Sequence, residues 1–163
     1  MESQQILSIE LGKLLQQHQQ VLATAESCTG GGVSAAVTDI AGSSAWFDRA
    51  FVTYSNEAKM AMLEVQANTL DIHGAVSEPT VVEMVKGALK NSNATIAVSI
   101  SGIAGPGGGS DEKPVGTVCF GFADQEGWLK VNTEHFSGDR AEVRSQAVEF
   151  ALKTLCDYLG ERS

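Results

Sequence analysis

The stretch that decides the fold is VLATAESCTGGG, running from Val21 to Gly32. Its first five residues, Val21–Ala25, form a short apolar run closed by a glycine cluster, which reads as a buried strand. The next seven, Glu26 to Gly32, hold Ser27, Cys28, Thr29 and three glycines, and lead into a helix of small residues over Val33–Thr38. A strand that passes through a Gly/Ser/Thr turn into a helix opens an α/β unit. In open α/β sheets, loops at the carboxyl ends of strands are where ligands bind.

The same pattern recurs downstream. Thr95–Ile100 (TIAVSI) is the most strand-like run, rich in β-branched residues, and ends in a second glycine loop, Ser101–Ser110 (SGIAGPGGGS). Upstream, Leu7, Leu11, Leu14 and Leu15 share one stripe of an amphipathic first helix. Arg49–Ser55 (RAFVTYS) reads as a strand and Asn56–Leu63 as a helix capped by Ser55. Ser77-Glu78-Pro79 opens a further helix, with Val81, Met84, Val85, Ala88 and Leu89 as its buried stripe. Val115–Ala123 and Trp128–Phe136 read as a hairpin through Asp124-Gln125-Glu126-Gly127. The last helix, about 139–159, turns Val143, Ala147, Phe150, Ala151, Leu155 and Tyr158 toward a core. Helices interleaved with strands, plus one hairpin and no repeat or linker, predict an α/β protein: a three-layer α/β/α sandwich with a mixed sheet, one domain over residues 1–163.

Composition narrows the function classes. The 163 residues carry a net charge of −9, with Lys+Arg 11 against Asp+Glu 20, and the pI is about 4.7. That balance argues against a nucleic-acid partner, since phosphate-backbone binding needs a basic face. With 43% hydrophobic and 19% charged residues, the chain has the composition of a folded domain. The N-terminus lacks the basic and apolar regions of a signal peptide, and no apolar run approaches the ~20 residues that span a bilayer, so no membrane partner is expected. Cys28, Cys119 and Cys156 are odd in number and widely spaced. With no CxxC pair and three scattered histidines, neither a zinc site nor another metal is expected, and a reducing, cytoplasmic location is the plain reading.

Neither glycine loop is a P-loop, a GxGxxG fingerprint or a GxSxG elbow. Their plainest reading is tight turns and close helix–strand packing. The functional reading is that ESCTGGG opens a helix whose free N–H groups hold an anion or an oxyanion. Ser27 then sits where a nucleophile is exposed beside backbone donors, although Ser27 or Thr29 also suits a simple helix cap. Lys59 falls in the first turn of its predicted helix. Its amine leans back toward the strand ends, and the positive helix end plus desolvation lower its pKa toward that of a general base. The alternative is a solvated lysine beside Glu57. Tyr54 is placed to donate or relay a proton, or simply to pack its ring. Arg140 and Arg144, at i and i+4, form either a phosphate or carboxylate clamp or ion pairs with Asp139 and Glu142. Cys28 reads as a small buried thiol.

Seven blocks in order are more distinctive than any one of them: AESCTGG (Ala25–Gly31), TDIAGSSAWF (Thr38–Phe47), FVTYSNEAK (Phe51–Lys59), HGAVSEPT (His73–Thr80), SISGIAGPGGGS (Ser99–Ser110), KPVGTV (Lys113–Val118) and FSGDR (Phe136–Arg140). Together they resemble the CinA C-terminal domain family, the nicotinamide-nucleotide amidohydrolases, over about residues 4–160. The resemblance implies hydrolysis of the amide of nicotinamide mononucleotide (NMN) to nicotinate mononucleotide and ammonia in pyridine-nucleotide salvage. It also implies an α/β/α sandwich, assembly as a homodimer, no cofactor, and the stand-alone form of the module. It implies Ser27 as nucleophile, Lys59 as base and Tyr54 as the matching tyrosine. Candidate substrate contacts are Thr29, Gly30, Gly31, Gly102, Ala104, Gly105, Arg140 and Arg144. A nucleotide-binding module without hydrolysis, or an amidohydrolase of another small amide, are the alternative functions.

Overall fold

Alternation along the strands decides which helices lie on which face. The computed structural model describes residues 2–162. Its strands are β1 (Leu22–Glu26), β2 (Phe47–Val52), β3 (Ile96–Gly102), β4 (Thr117–Asp124) and β5 (Leu129–His135), in the sheet order β2-β1-β3-β4-β5. β1 runs parallel to both β2 and β3, while the β3–β4 and β4–β5 pairs are antiparallel. The helices are α1 (Glu2–Gln17), α2 (Gly32–Thr38), α3 (Asn56–Leu63), α4 (Ala67–His73), α5 (Glu78–Lys90) and α6 (Arg140–Glu161). α1, α2 and α6 cover one face of the sheet, and α3, α4 and α5 form the layer on the other. This is the expected three-layer sandwich with a mixed sheet.

The two faces differ in side-chain size. Leu22, Ile96, Val98, Ile100, Phe120 and Phe122 point toward α1 and α6, where the Phe120 and Phe150 ring centroids lie 4.5 Å apart. Burying a side chain such as Phe120 contributes roughly 1.5–3 kcal/mol. The opposite face is built from small residues, among them Ala25, Ala97, Cys119 and Ala123, and α5 lies close against it. A Cβ on Gly121 would stand 2.7 Å from the Val81 carbonyl, and one on Gly87 would stand 2.0 Å from that of Leu63. Glycine is required at both positions because backbone approaches backbone there.

Most predicted elements are found within a residue or two of their places. Ser55 caps α3 by accepting from Ala58 N, and Ser77 caps α5 by accepting from Thr80 N. β2 starts and ends earlier than Arg49–Ser55, because Thr53, Tyr54 and Ser55 leave the sheet to turn into α3. Thr53 N still donates to Glu26 O at 2.8 Å, so the turn stays fastened to β1. α4 and a short 3-10 turn at Ser43–Ala45 lie in stretches without a predicted element. Among the described residues, no helix is long and apolar enough to cross a membrane. The consequence for function is that the carboxyl ends of the paired strands β1 and β3 bring both glycine loops to one edge of the sheet.

Candidate active site

Ser27 follows β1 directly and donates its N–H to Ile100 O at 2.9 Å, which fastens the loop to β3. The residue is only 9% exposed. Lys59 lies in the first turn of α3, and its side chain runs back toward the helix start, as Cα–Cβ geometry dictates. Its Nζ donates to Thr53 O at 3.0 Å and lies 3.1 Å from Ser27 Oγ. The side chain is almost fully buried, and both partners are uncharged oxygens. Burial holds the amine below the usual lysine range, only partly opposed by the neighbouring Cys28 thiol. A neutral amine in this position has one lone pair and two N–H bonds. One N–H satisfies Thr53 O, leaving the lone pair able to take the Ser27 hydroxyl proton.

A cavity of about 260 Å³ opens over Ser27, lined also by Cys28, Tyr54, Gly102, Ala104, Gly105 and Arg140. Ile103, Gly107 and Gly108, all from the second glycine loop, complete its wall. Arg140, the first residue of α6, donates from Nη1 to Gly105 O and from Nη2 to the Tyr54 hydroxyl, each at 2.7 Å. Tyr54 is 60% exposed and lines the same cavity as Ser27. Within the second loop, Ile103 N bonds Thr117 O and Gly116 N bonds Ile103 O. The amides of Ala104, Gly105, Gly107 and Gly108 donate to no protein acceptor among the described residues, so they remain open to a ligand.

The other predicted contacts lie outside the cavity lining. Arg144 donates to Cys28 O at 3.0 Å and to Thr29 O at 3.2 Å, bracing the loop and lying outside the cavity lining. Asp139 and Glu142 do not pair with the arginines. They form a reciprocal capping box at the start of α6, each side chain accepting from the other's backbone N–H. Gly30 and Gly31 carry the chain into α2 at φ 57° and 99° and do not line the cavity. The Thr29 hydroxyl is buried against Glu26, donating to Oε1 at 2.7 Å.

Glu26 corrects the expectation of an anion site at the start of α2. Its carboxylate accepts from Val33 N at 2.9 Å and from Ser34 N at 3.0 Å, so the chain fills that position with its own anion. The helix itself starts at Gly32, and neither Ser27 nor Thr29 is its cap, because Gly31 holds that position. The missed signal was an acid closing an otherwise uncharged buried strand between two threonines. Cys28 has its thiol pushed up to about 11 by burial, which leaves it protonated and unreactive at neutral pH. Among the described residues, no group of three or more His, Cys, Asp or Glu side chains is placed to hold a metal ion.

A profile of the CinA C-terminal domain matches residues 4–159. The chain is 61% identical over 149 residues to nicotinamide-nucleotide amidohydrolase PncC of Escherichia coli (strain K12), covering 91% of this chain and 90% of that protein. It is 57% identical over 148 residues to the protein of the same name from Enterobacter agglomerans, again covering 91% and 90%. The fold superposes with a TM-score of 0.94 on the crystal structure of competence/damage inducible protein CihA from Agrobacterium tumefaciens, at 43% identity over 97% of this chain and 96% of that one. On sequence and fold together, the chain belongs to the CinA C-terminal domain family.

Proposed function

We propose that this chain is a nicotinamide-nucleotide amidohydrolase, converting NMN and water to nicotinate mononucleotide and ammonia through Ser27 and Lys59. The observation that carries the reading is the 3.1 Å contact between Lys59 Nζ and Ser27 Oγ, in a site where burial favours the neutral amine. The neutral amine accepts the Ser27 proton as Oγ bonds to the carboxamide carbon. The carbonyl oxygen gains the negative charge of a tetrahedral intermediate. With the first amides of α2 bound to Glu26, the amides of the Ala104–Gly108 loop and of Cys28, which have no protein acceptor among the described residues, are the candidate oxyanion donors. Lys59 returns its proton to the departing nitrogen, the C–N bond breaks and ammonia leaves. Water, deprotonated by the same amine, then cleaves the acyl ester and frees Ser27.

Arg140 is the proposed phosphate partner, because its guanidinium lines the cavity while Arg144 is held by loop carbonyls. The role assigned to Tyr54 is to orient that guanidinium through its hydroxyl. A single catalytic domain, a homodimer and a cytoplasmic location belong to the same proposal, and light scattering of the purified protein tests the dimer. The decisive experiment incubates purified protein with NMN and follows ammonia and nicotinate mononucleotide together. Equimolar appearance of both is expected, and Ser27→Ala abolishes it while keeping the melting temperature within a few degrees. Turnover in Ser27→Ala close to that of the parent protein would refute the nucleophile.

A further inference from the structure

Glu26 is joined to Ser27 along the chain and to Lys59 through Thr53, yet no step of the reaction uses its carboxylate. The side chain is fully buried and accepts four hydrogen bonds, two on each oxygen. Oε1 takes Thr29 Oγ1 at 2.7 Å and Val33 N at 2.9 Å, while Oε2 takes Thr24 Oγ1 and Ser34 N, each at 3.0 Å. Each oxygen faces one backbone N–H, which can only donate, and one threonine hydroxyl, which can turn either way. A carboxylate offers lone pairs to both N–H groups, whereas an amide would aim an N–H bond of its own at one of them. Polar atoms this deeply buried are tolerated when every one has a partner.

The main chain of the same residue performs a second linkage. Glu26 O accepts from Thr53 N at 2.8 Å, Thr53 O accepts from Lys59 Nζ at 3.0 Å, and Nζ lies 3.1 Å from Ser27 Oγ. Ser27 is covalently joined to Glu26, so the four residues form a closed ring. The nucleophile and its base are thus referred to one point in the chain, and the carboxylate locks that point to the first turn of α2. Misplacing a reacting group by about 1 Å costs on the order of 100-fold in rate, so a ring of this kind has catalytic leverage without touching substrate.

Building on the Ser27–Lys59 reading above, we propose that Glu26 is the positioning residue of the dyad, setting the Oγ–Nζ distance through its four-fold bonded carboxylate and its carbonyl link to Thr53. The test separates positioning from stability and from substrate choice. An alkyl fluorophosphonate probe reports the nucleophilicity of Ser27 by intact mass and peptide mapping, with no nicotinamide group involved. Glu26→Gln, folded by circular dichroism at the assay temperature, is expected to label at least about tenfold more slowly than the parent protein. Its kcat on NMN falls by the same factor while KM stays within about threefold.

Labelling of folded Glu26→Gln at the parent rate, with only a lowered melting temperature, overturns the proposal and leaves a purely structural role. If Glu26→Gln does not fold, Thr29→Val decides in the same assay. It deletes one hydroxyl partner of Oε1 and keeps the carboxylate, and labelling at the parent rate again overturns the proposal. A parent protein labelled on Ser27 that releases no ammonia from NMN refutes the deamidase reading alone, and positioning is then judged on labelling rates. A parent protein unlabelled on Ser27 overturns the nucleophile and the positioning role together.

Discussion

Replacing Lys59 with methionine tests whether the buried amine is neutral when it works. The two side chains are close in length, so Lys59→Met keeps the packing of a site that is 2% exposed. It removes the contacts to Thr53 O and Ser27 Oγ. At about 0.5–1.5 kcal/mol net for each hydrogen bond, their loss costs roughly 1–3 kcal/mol, partly offset because no amine need be desolvated. The sharper quantity is the pH dependence. In the unfolded chain a lysine titrates near ~10.4, and in the folded protein burial lowers it.

Between those two values the unfolded state binds more protons, so the stability of the parent protein rises with pH, by up to about 1.4 kcal/mol per unit for one proton. Below the folded value the penalty is complete and flat. The variant carries no such group, so stability of parent minus variant must rise as pH climbs toward that of an unfolded lysine. Urea denaturation of both proteins at pH 7, 8, 9 and 10 reads this difference directly, since other titrating groups cancel. In parallel, ammonia release should fall at least about 100-fold, the lower range for losing a general base. A pH-independent difference means that folding leaves the pKa unshifted, and one that shrinks with rising pH means that folding raises it; the base assignment fails with either.

Two further outcomes follow from the geometry. Arg140→Ala should raise KM for NMN by about 10–100-fold, the range for losing a charge-assisted pair of about 1.5–3 kcal/mol, and should change turnover of the phosphate-free riboside much less. An unchanged KM for NMN would remove Arg140 as the phosphate partner. Gly87→Ala places a methyl 2.0 Å from Leu63 O and so must push α3 from α5. The expected loss is at least about 1–3 kcal/mol in urea denaturation, and an unaltered midpoint contradicts the close approach.

Elements were legible in the sequence where local chemistry and burial agree. α3 begins and ends where the Ser55 cap and the helical pattern of Asn56–Leu63 place it. β2 was shifted because charged Asp48 hides the first residues of FDRAFV, while the β-prone Val52-Thr53-Tyr54 extends the strand on paper. α4 carries ANTLDIH, with no side-chain cap, and no predicted element fell on it. In the site, the Ser27–Lys59 contact and the place of Arg140 in the cavity lining accord with directions that their sequence neighbours fix. The contacts of Thr29 to Glu26 and of Arg144 to the loop carbonyls are set by tertiary folding and had no local signal. A helix cap supplied from the preceding strand rather than from the adjoining residue leaves no local signature.

The buried thiol beside the nucleophile has a practical corollary. Sulfur is intrinsically the better attacking atom, and Cys28 lines the same cavity as Ser27. Because burial keeps Cys28 protonated near neutrality, and pushes Cys156 up as well, to about 12, the competition between neighbouring groups is decided by solvation rather than by element. Mild oxidants and alkylating reagents should therefore spare the working enzyme. Iodoacetamide uptake would then serve as a clock for global opening, counting molecules that have lost their interior rather than molecules whose chemistry has been blocked.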